Sequence, residues 1–178
     1  MTSRGPDSLQ PRAVAAGQGQ ATNTADFLTG DWKVTRRIHD HSTGQVGSFQ
    51  GSARFRQCAE SDPKHTLAYV ERGELRFAGH HGPAERSLMI QDAGDGTADV
   101  RFADGREFYR LDLRTGRCEA SHPCRADIYQ VTVTMLSADS YTETWRVTGP
   151  SKDYELQTTY TRAPGTGPDS VAESGDPR

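Results

Sequence analysis

The sequence predicts an all-β protein that folds into a single antiparallel β-barrel of about eight to ten strands. Apolar and polar residues alternate in runs along most of the chain, with turn residues between them, and no long segment shows helical periodicity. In the segment 27–32, FLTGDW, a short apolar turn and a glycine come directly before a tryptophan that opens an alternating run. We expect a helical turn at 25–29, with Thr24 as its N-cap, to close one end of the barrel over Trp32.

The strands follow one another with turn chemistry between them. Asp104-Gly105 and Thr115-Gly116 are typical hairpin dipeptides, and Gly-rich loops separate most of the other runs. The predicted strands are 32–40, 46–56, 66–76, 84–91, 98–102, 106–113, 117–124, 127–136, 141–148 and 154–162.

Both ends of the chain differ in composition from this central region. Residues 1–24 and 163–178 are rich in Gly, Pro, Ser, Ala and other small or polar residues, with very few large apolar side chains. Such segments bury too little apolar surface to offset the entropy lost on ordering. We therefore predict a disordered N-terminal arm (1–24), a barrel domain (25–162) and a disordered C-terminal tail (163–178).

Composition also limits the partners and the compartment. The chain of 178 residues has a formal net charge of −3 with interspersed charges, which disfavours nucleic acid and membrane surfaces as partners. It has no apolar run of membrane-spanning length and no signal-peptide pattern, so we expect a cytoplasmic protein. The three cysteines are expected to be free thiols. Arg far outnumbers Lys, a bias typical of GC-rich genomes such as those of actinomycetes.

Several short motifs resemble a known family. The Gly-x-Trp at 30–32 resembles that of the lipocalin and calycin barrels, and Arg162 stands where those folds place an arginine over the tryptophan. More closely, the chain is similar to DUF6314, a lipocalin-like bacterial family of unknown function. This resemblance implies the barrel and no activity; Tyr109 departs from it, because a His is expected there. The shared motifs are FLxGxW (27–32), RxIxD (36–40), LxYxExG (67–73), FxDGRxF (102–108), HxCxxDxY (122–129) and WxVxGPxKDY (145–154).

Strand alternation predicts charged side chains inside the barrel. If Trp32 faces the interior, the period of two places Arg36 there as well. Other interior candidates follow from shared strand faces: Tyr69, Glu71, Arg86 and Tyr160. Buried charges cost several kcal/mol each unless they are paired, so we expect Arg36, Glu71 and Arg86 to contact one another or a ligand. The alternative is a purely structural ion-pair network that fixes strand register.

The segment 121–129 holds the densest group of reactive side chains. His122, Cys124, Asp127 and Tyr129 are compatible with a nucleophile and its base, an acid/base pair or part of a metal site. The alternative is a bent strand in which Asp127 caps a turn and Tyr129 packs inward. No group of residues has four metal ligands at suitable spacing, phosphate-binding loop motifs are absent, and the last strand offers Tyr160 but no His to a haem. We therefore predict no metal and no cofactor.

Two classes of function fit these residues. The first is a cofactor-independent isomerase, cyclase or lyase of bacterial specialised metabolism, acting on a small, largely apolar organic substrate as a monomer or homodimer. The second is a non-catalytic carrier of a small lipophilic ligand. Several ionisable groups inside one barrel favour the enzyme. The predicted catalytic residues are Glu71, His122, Asp127 and Tyr129, and the predicted substrate-binding residues are Arg36, Tyr69, Arg86, Cys124 and Tyr160.

Overall fold

The computed structural model describes residues 20–59 and 65–165, which form one short helix and ten strands. Each strand corresponds to a predicted one, and the largest difference is at β4, which begins at His80 instead of residue 84. The elements are α1 (Thr24–Leu28), β1 (Gly30–Asp40), β2 (Val46–Gln57), β3 (Thr66–Phe77), β4 (His80–Asp92), β5 (Ala98–Phe102), β6 (Glu107–Leu111), β7 (Arg117–Cys124), β8 (Asp127–Ser137), β9 (Ser140–Gly149) and β10 (Lys152–Arg162).

The ten strands form a single antiparallel sheet that curls into a nearly closed barrel. Its order is β6-β5-β4-β3-β2-β1-β10-β9-β8-β7, so the first strand pairs with the last and β6 faces β7. Side chains bridge that seam: Cys118 Sγ lies 3.7 Å from the carbonyl oxygen of Arg110, and the rings of Phe108 and His122 are 5.1 Å apart. The predicted all-β barrel with a short N-terminal helical turn is confirmed.

The helical turn closes one end of the barrel through Trp32. The indole is 1% exposed, and its Nε1 donates to the carbonyl oxygen of Leu28 at 2.7 Å. The guanidinium of Arg162 lies 4.2 Å from the indole centre and donates to the carbonyl oxygens of Thr29 and Phe27, both at 2.8 Å. The position of Arg162 over Trp32 thus agrees with the resemblance to lipocalins.

The helix begins one residue earlier than predicted, because Asn23 is its N-cap and not Thr24. The Asn23 side-chain oxygen accepts from the backbone N–H groups of Ala25 and Asp26. Thr24 is fully buried and its hydroxyl donates to the carbonyl oxygen of Gly96 at 2.9 Å. Residues 21–24 therefore pack on the barrel although the sequence placed them in the arm, while residues 1–19 and 166–178 of the predicted termini lie outside the described residues.

Strands β2 and β3 approach each other closely at two paired glycines. Gly51 lies opposite Gly73, and a Cβ atom added to Gly51 would be 2.7 Å from the Cα atom of Gly73. Only glycine fits at such a separation, so the barrel wall bends here without a side chain on its inner face.

Candidate functional site

A layer of charged side chains crosses the middle of the barrel. Arg36 on β1 and Glu71 on β3 form a two-pronged ion pair, with Nη1 to Oε1 at 2.9 Å and Nη2 to Oε2 at 2.6 Å. Arg36 Nε donates to the Thr158 hydroxyl at 2.8 Å, and the Tyr69 hydroxyl donates to Glu71 Oε2 at 2.7 Å. Every oxygen of Glu71 is thus occupied, and its side chain is 3% exposed.

Arg86 on β4 joins this layer through longer contacts. Its Nη2 donates to the Tyr69 hydroxyl at 3.2 Å and lies 3.8 Å from Glu71 Oε2 and 3.7 Å from Glu143 Oε1. Glu143 on β9 in turn accepts from Trp145 Nε1 at 2.6 Å. A guanidinium has five N–H donors, and Arg86 uses one of them in a hydrogen bond to the described part of the chain. Its Nε is buried without a hydrogen-bond partner there.

The charges of this layer are mutually stabilised. Burial works to raise the pKa of Glu71, but the hydrogen bonds from Arg36 and the charge of Arg86 outweigh it, so the pKa of Glu71 is lowered. Burial likewise works to lower the pKa of each arginine, and the surrounding groups, including Glu71, outweigh it, so the pKa of both Arg36 and Arg86 is raised. Glu71 is therefore a carboxylate and both arginines are cations near neutral pH.

Four tyrosines surround the layer on its closed-end side. The rings of Tyr141 and Tyr160 stack with centroids 4.3 Å apart, and the hydroxyls of Tyr160 and Tyr69 are 3.3 Å apart. Burial raises the pKa of every one of these phenols, and they stay neutral over the physiological range: Tyr69, Tyr109, Tyr141 and Tyr160. They can donate and accept hydrogen bonds but are poor proton acceptors at neutral pH.

A narrow cavity lies between the charged layer and the helical turn. Arg86 and Glu143 are part of its wall, together with the four tyrosines and apolar side chains such as Leu28 and Val133. Its volume is about 30 Å³, which is enough for only about two or three water molecules. A drug-sized organic molecule does not fit there without movement of side chains.

The opposite end of the barrel is lined by half-buried apolar side chains, which we call the open-end ring. Counting in steps of two from Arg36, Glu71 and Thr158 places most of these side chains on the inner face of the barrel. Because they point inward and are still partly exposed, they are exposed through the open end. The ring consists of Ile38, Leu75, Ala84, Phe102, Phe108, Ala120, Tyr129 and Leu156.

Aromatic side chains form one wall of the open-end ring. Phe108 stacks on Trp145 with centroids 5.0 Å apart and on Phe102 at 4.5 Å. His122 is half-buried and meets both phenylalanine rings edge-on, at 5.1 and 5.9 Å. An irregularity in the β5–β6 pairing next to Phe108 lets this side chain and the adjacent Tyr109 both contact Trp145.

The segment 121–129 does not converge on a single centre. His122 and Tyr129 are paired across β7 and β8 at the open end, whereas Cys124 is exposed at the end of β7. Asp127 pairs with Lys152 at 2.6 Å, and Lys152 donates to the Tyr129 hydroxyl at 2.8 Å. This second cluster links the β7–β8 turn to the start of β10, at the rim of the barrel.

The structure therefore divides the nine predicted site residues into three groups. Arg36, Tyr69, Glu71, Arg86 and Tyr160 meet in the charged layer and its tyrosine shell, as the inward alternation predicted. His122 and Tyr129 lie in the wall of the open end, and Asp127 and Cys124 lie at the rim or outside. The catalytic and binding roles assigned to these residues stay predictions.

Sequence reasoning missed several residues of the site. Tyr141, Glu143 and Trp145 alternate on β9, so the same argument that placed Arg36 inside would have found them. Lys152 lies between the predicted strands 141–148 and 154–162, and its contact with Asp127 depends on the barrel closing around both hairpins.

Two negative findings apply to the described residues. Within 20–59 and 65–165, no three His, Cys, Asp or Glu side chains are grouped as a metal site would require. Nor does any helix in these ranges have the length and apolar character needed to cross a membrane.

Comparison with known proteins supports the fold. No curated protein matches the chain. Among solved structures, the S-type phycobiliprotein lyase CpeS from Guillardia theta is similar, with a TM-score of 0.59 and 10% identity over 78% of this chain and 90% of that one. A redesigned β-barrel, mFAP1, bound to DFHBI, is more distant, with a TM-score of 0.42 and 20% identity over 79% of this chain and 99% of that one. Such likenesses concern the fold alone.

The family is shown by the sequence. Residues 28–162, which include all ten strands, match the family of unknown function DUF6314. The resemblance drawn from the short motifs is thereby confirmed, and the chain belongs to the DUF6314 family.

Proposed function

We propose that this barrel binds a small, largely apolar organic molecule that carries an oxygen function. The apolar body lies within the open-end ring, and the oxygen accepts hydrogen bonds from Arg86 in the charged layer below it. One observation carries this proposal. Arg86, a cation in the charged layer, makes a single hydrogen bond to the described residues, so most of its N–H donors are free for a ligand.

The geometry of the ring supports this assignment. Its side chains are apolar and half-buried, as in sites that recognise a ligand by burying its hydrocarbon surface. A few polar groups at the bottom then fix the orientation of the ligand. The fold neighbour CpeS is named as a phycobiliprotein lyase, which is compatible with a barrel that handles an organic molecule.

Catalysis by acid/base chemistry, as in an isomerase, cyclase or lyase, is the more specific form of this proposal. It is favoured by two side chains, His122 and Glu143, that keep hydrogen-bonding capacity beyond their contacts with the described residues. His122 lies in the wall of the ring, and imidazole is the side chain best suited to proton transfer near neutral pH. Glu143 accepts one hydrogen bond, on Oε1, from the described residues. Arg86 would polarise the substrate oxygen while His122 or Glu143 moves the proton.

Glu71 fits a different role from the catalytic one predicted from sequence. Its oxygens accept hydrogen bonds from Arg36 and Tyr69, and its lowered pKa makes it a weak base. We propose that Glu71 holds Arg36 and Tyr69 in place.

A carrier without catalysis remains the second candidate, and the neutral, buried tyrosines favour it because they can recognise a ligand without exchanging protons.

A ligand-detected NMR screen tests the binding proposal. Saturation-transfer experiments with a panel of aromatic ketones and aromatic carboxylates are performed on the wild type and on Arg86→Gln. We expect at least one compound class to bind the wild type and to bind the variant at least about tenfold more weakly. Arg54→Gln removes a 72%-exposed arginine on the outside of the barrel and serves as the matched control. Absence of any hit, or hits that Arg86→Gln leaves unchanged, would contradict the proposal.

The catalytic form has its own test. Once a ligand is known, its conversion is followed by NMR with wild type, His122→Gln and Glu143→Gln. Catalysis predicts a loss of roughly two to four orders of magnitude in turnover for the variant that lacks the acid or base, with binding retained. A ligand that binds and is recovered unchanged after prolonged incubation would support the carrier.

A further inference from the structure

The charges inside the barrel cancel one another. Two arginines, Arg36 and Arg86, meet two carboxylates, Glu71 and Glu143, in the charged layer. Each carboxylate lies within 4 Å of a guanidinium, and the side chains of Glu71 and Glu143 are 3% and 10% exposed. No charge of this layer is left without a counter-charge.

This balance limits the kind of oxygen function that Arg86 can accept. A carboxylate or phosphate would bring an unbalanced negative charge into a poorly solvated layer, where an unpaired charge is costly. If Arg86 turned to pair with it, Glu143 would lose its cationic neighbour, and the same cost would fall on that side chain. A neutral carbonyl oxygen accepts hydrogen bonds from the unused donors of Arg86 and leaves both ion pairs intact.

We infer that the ligand of this site is an uncharged carbonyl compound, such as a ketone or enone with an apolar body, and not a carboxylate or a phosphate. The inference rests on the proposed binding function and adds the chemical class of the ligand. Arg86 acts in it as a hydrogen-bond donor to a neutral acceptor, and Glu143 is the counter-charge that excludes anions.

Two isosteric probes test this selectivity. 2-Acetonaphthone and 2-naphthoate share the naphthalene ring and its attached carbonyl group. The ketone carries a methyl group where the carboxylate carries an anionic oxygen. Their dissociation constants are measured at pH 7.5 by ligand-observed NMR titration. The wild type is expected to bind the ketone at least about tenfold more tightly than the carboxylate.

A variant separates charge balance from simple apolar preference, since any apolar pocket would favour the ketone. Glu143→Gln removes one negative charge from the layer. The carboxylate still near Arg86 is then Glu71, which is already paired with Arg36. We expect this variant to reverse the preference and bind 2-naphthoate more tightly than 2-acetonaphthone. Glu119→Gln removes a 67%-exposed carboxylate on β7 and should leave the ratio unchanged. If Glu143→Gln does not fold by circular dichroism, Glu143→Leu makes the same charge change.

The outcomes distinguish the two levels of the argument. Tighter binding of 2-naphthoate by the wild type, or an unchanged ratio in the folded Glu143 variant, would overturn the carbonyl assignment while leaving a binding barrel. Binding of neither probe, together with a failed screen of the wider panel, would overturn the proposed function itself.

Discussion

Replacing Glu71 with Gln should destabilise the barrel strongly. The carboxylate accepts two hydrogen bonds from Arg36 and one from Tyr69, whereas the amide can accept through a single oxygen and its NH₂ group cannot accept from either partner. Arg36, 10% exposed, then keeps its charge in the layer without its main counter-charge. Breaking a buried pair in this way costs about 3–5 kcal/mol, which for a chain of this size corresponds to a fall in Tm of about 10 °C.

Equilibrium unfolding in urea, followed by tryptophan fluorescence, measures this cost. Trp32 and Trp145 are both buried and will report loss of the interior. The control is Glu85→Gln, which breaks an ion pair with Arg72 whose N–O distance is 2.7 Å but whose partners are 70% and 51% exposed. Exposed pairs of this kind contribute about 0–1 kcal/mol. If both variants lose the same small amount, the ion pair at Glu71 is not a structural element and the reasoning is wrong.

Three further predictions follow from the same interior. Folding lowers the pKa of Glu71, so the carboxylate's contribution to the free energy of unfolding is fully present above the unfolded pKa of 4.5 and is lost as the pH falls through the folded pKa. In urea unfolding at a series of acidic pH values, the free energy of unfolding should therefore fall more steeply for the wild type than for Glu71→Gln. Burial raises the pKa of four tyrosines, Tyr69, Tyr109, Tyr141 and Tyr160, so the share of the tyrosinate absorbance near 295 nm that comes from them should develop only together with unfolding. A smooth titration of all six tyrosines in folded protein would contradict this. Trp32→Ala should cost about 3–5 kcal/mol in the same urea assay, since the fully buried indole contacts Arg162 and Tyr141; a loss under about 1 kcal/mol would show that the turn does not depend on it.

The fold was predictable because strand alternation and turn chemistry are local signals. The strands could be located from their apolar period and from flanking turn residues such as Gly and Asp, and Trp32 indicated the closed end. The N-cap was misplaced by one residue because Asn23 and Thr24 are both suitable caps, and burial of Thr24 against Gly96 depends on a contact far along the chain.

Strand alternation predicted which side chains of the site point inward, but not how they pair. The period of two placed Arg36, Glu71 and Arg86 inside, but it cannot show which carboxylate meets which guanidinium. The dense segment 121–129 looked like one centre because its residues are close in sequence. In the barrel, alternation sends His122 to the open end, while Asp127 turns to Lys152 on another hairpin.

The most direct test of the account is whether a bound ligand contacts Arg86. The Nε–H resonances of the arginine side chains are recorded in a ¹H–¹⁵N correlation spectrum, and that of Arg86 is assigned by its loss in Arg86→Lys. On titration with 2-acetonaphthone we expect this resonance to shift most, because Arg86 Nε has no hydrogen-bond partner among the described residues whereas Arg36 Nε is bound to Thr158. A saturable ligand that shifts only exposed arginines and leaves the Arg86 resonance unchanged would contradict the central claim.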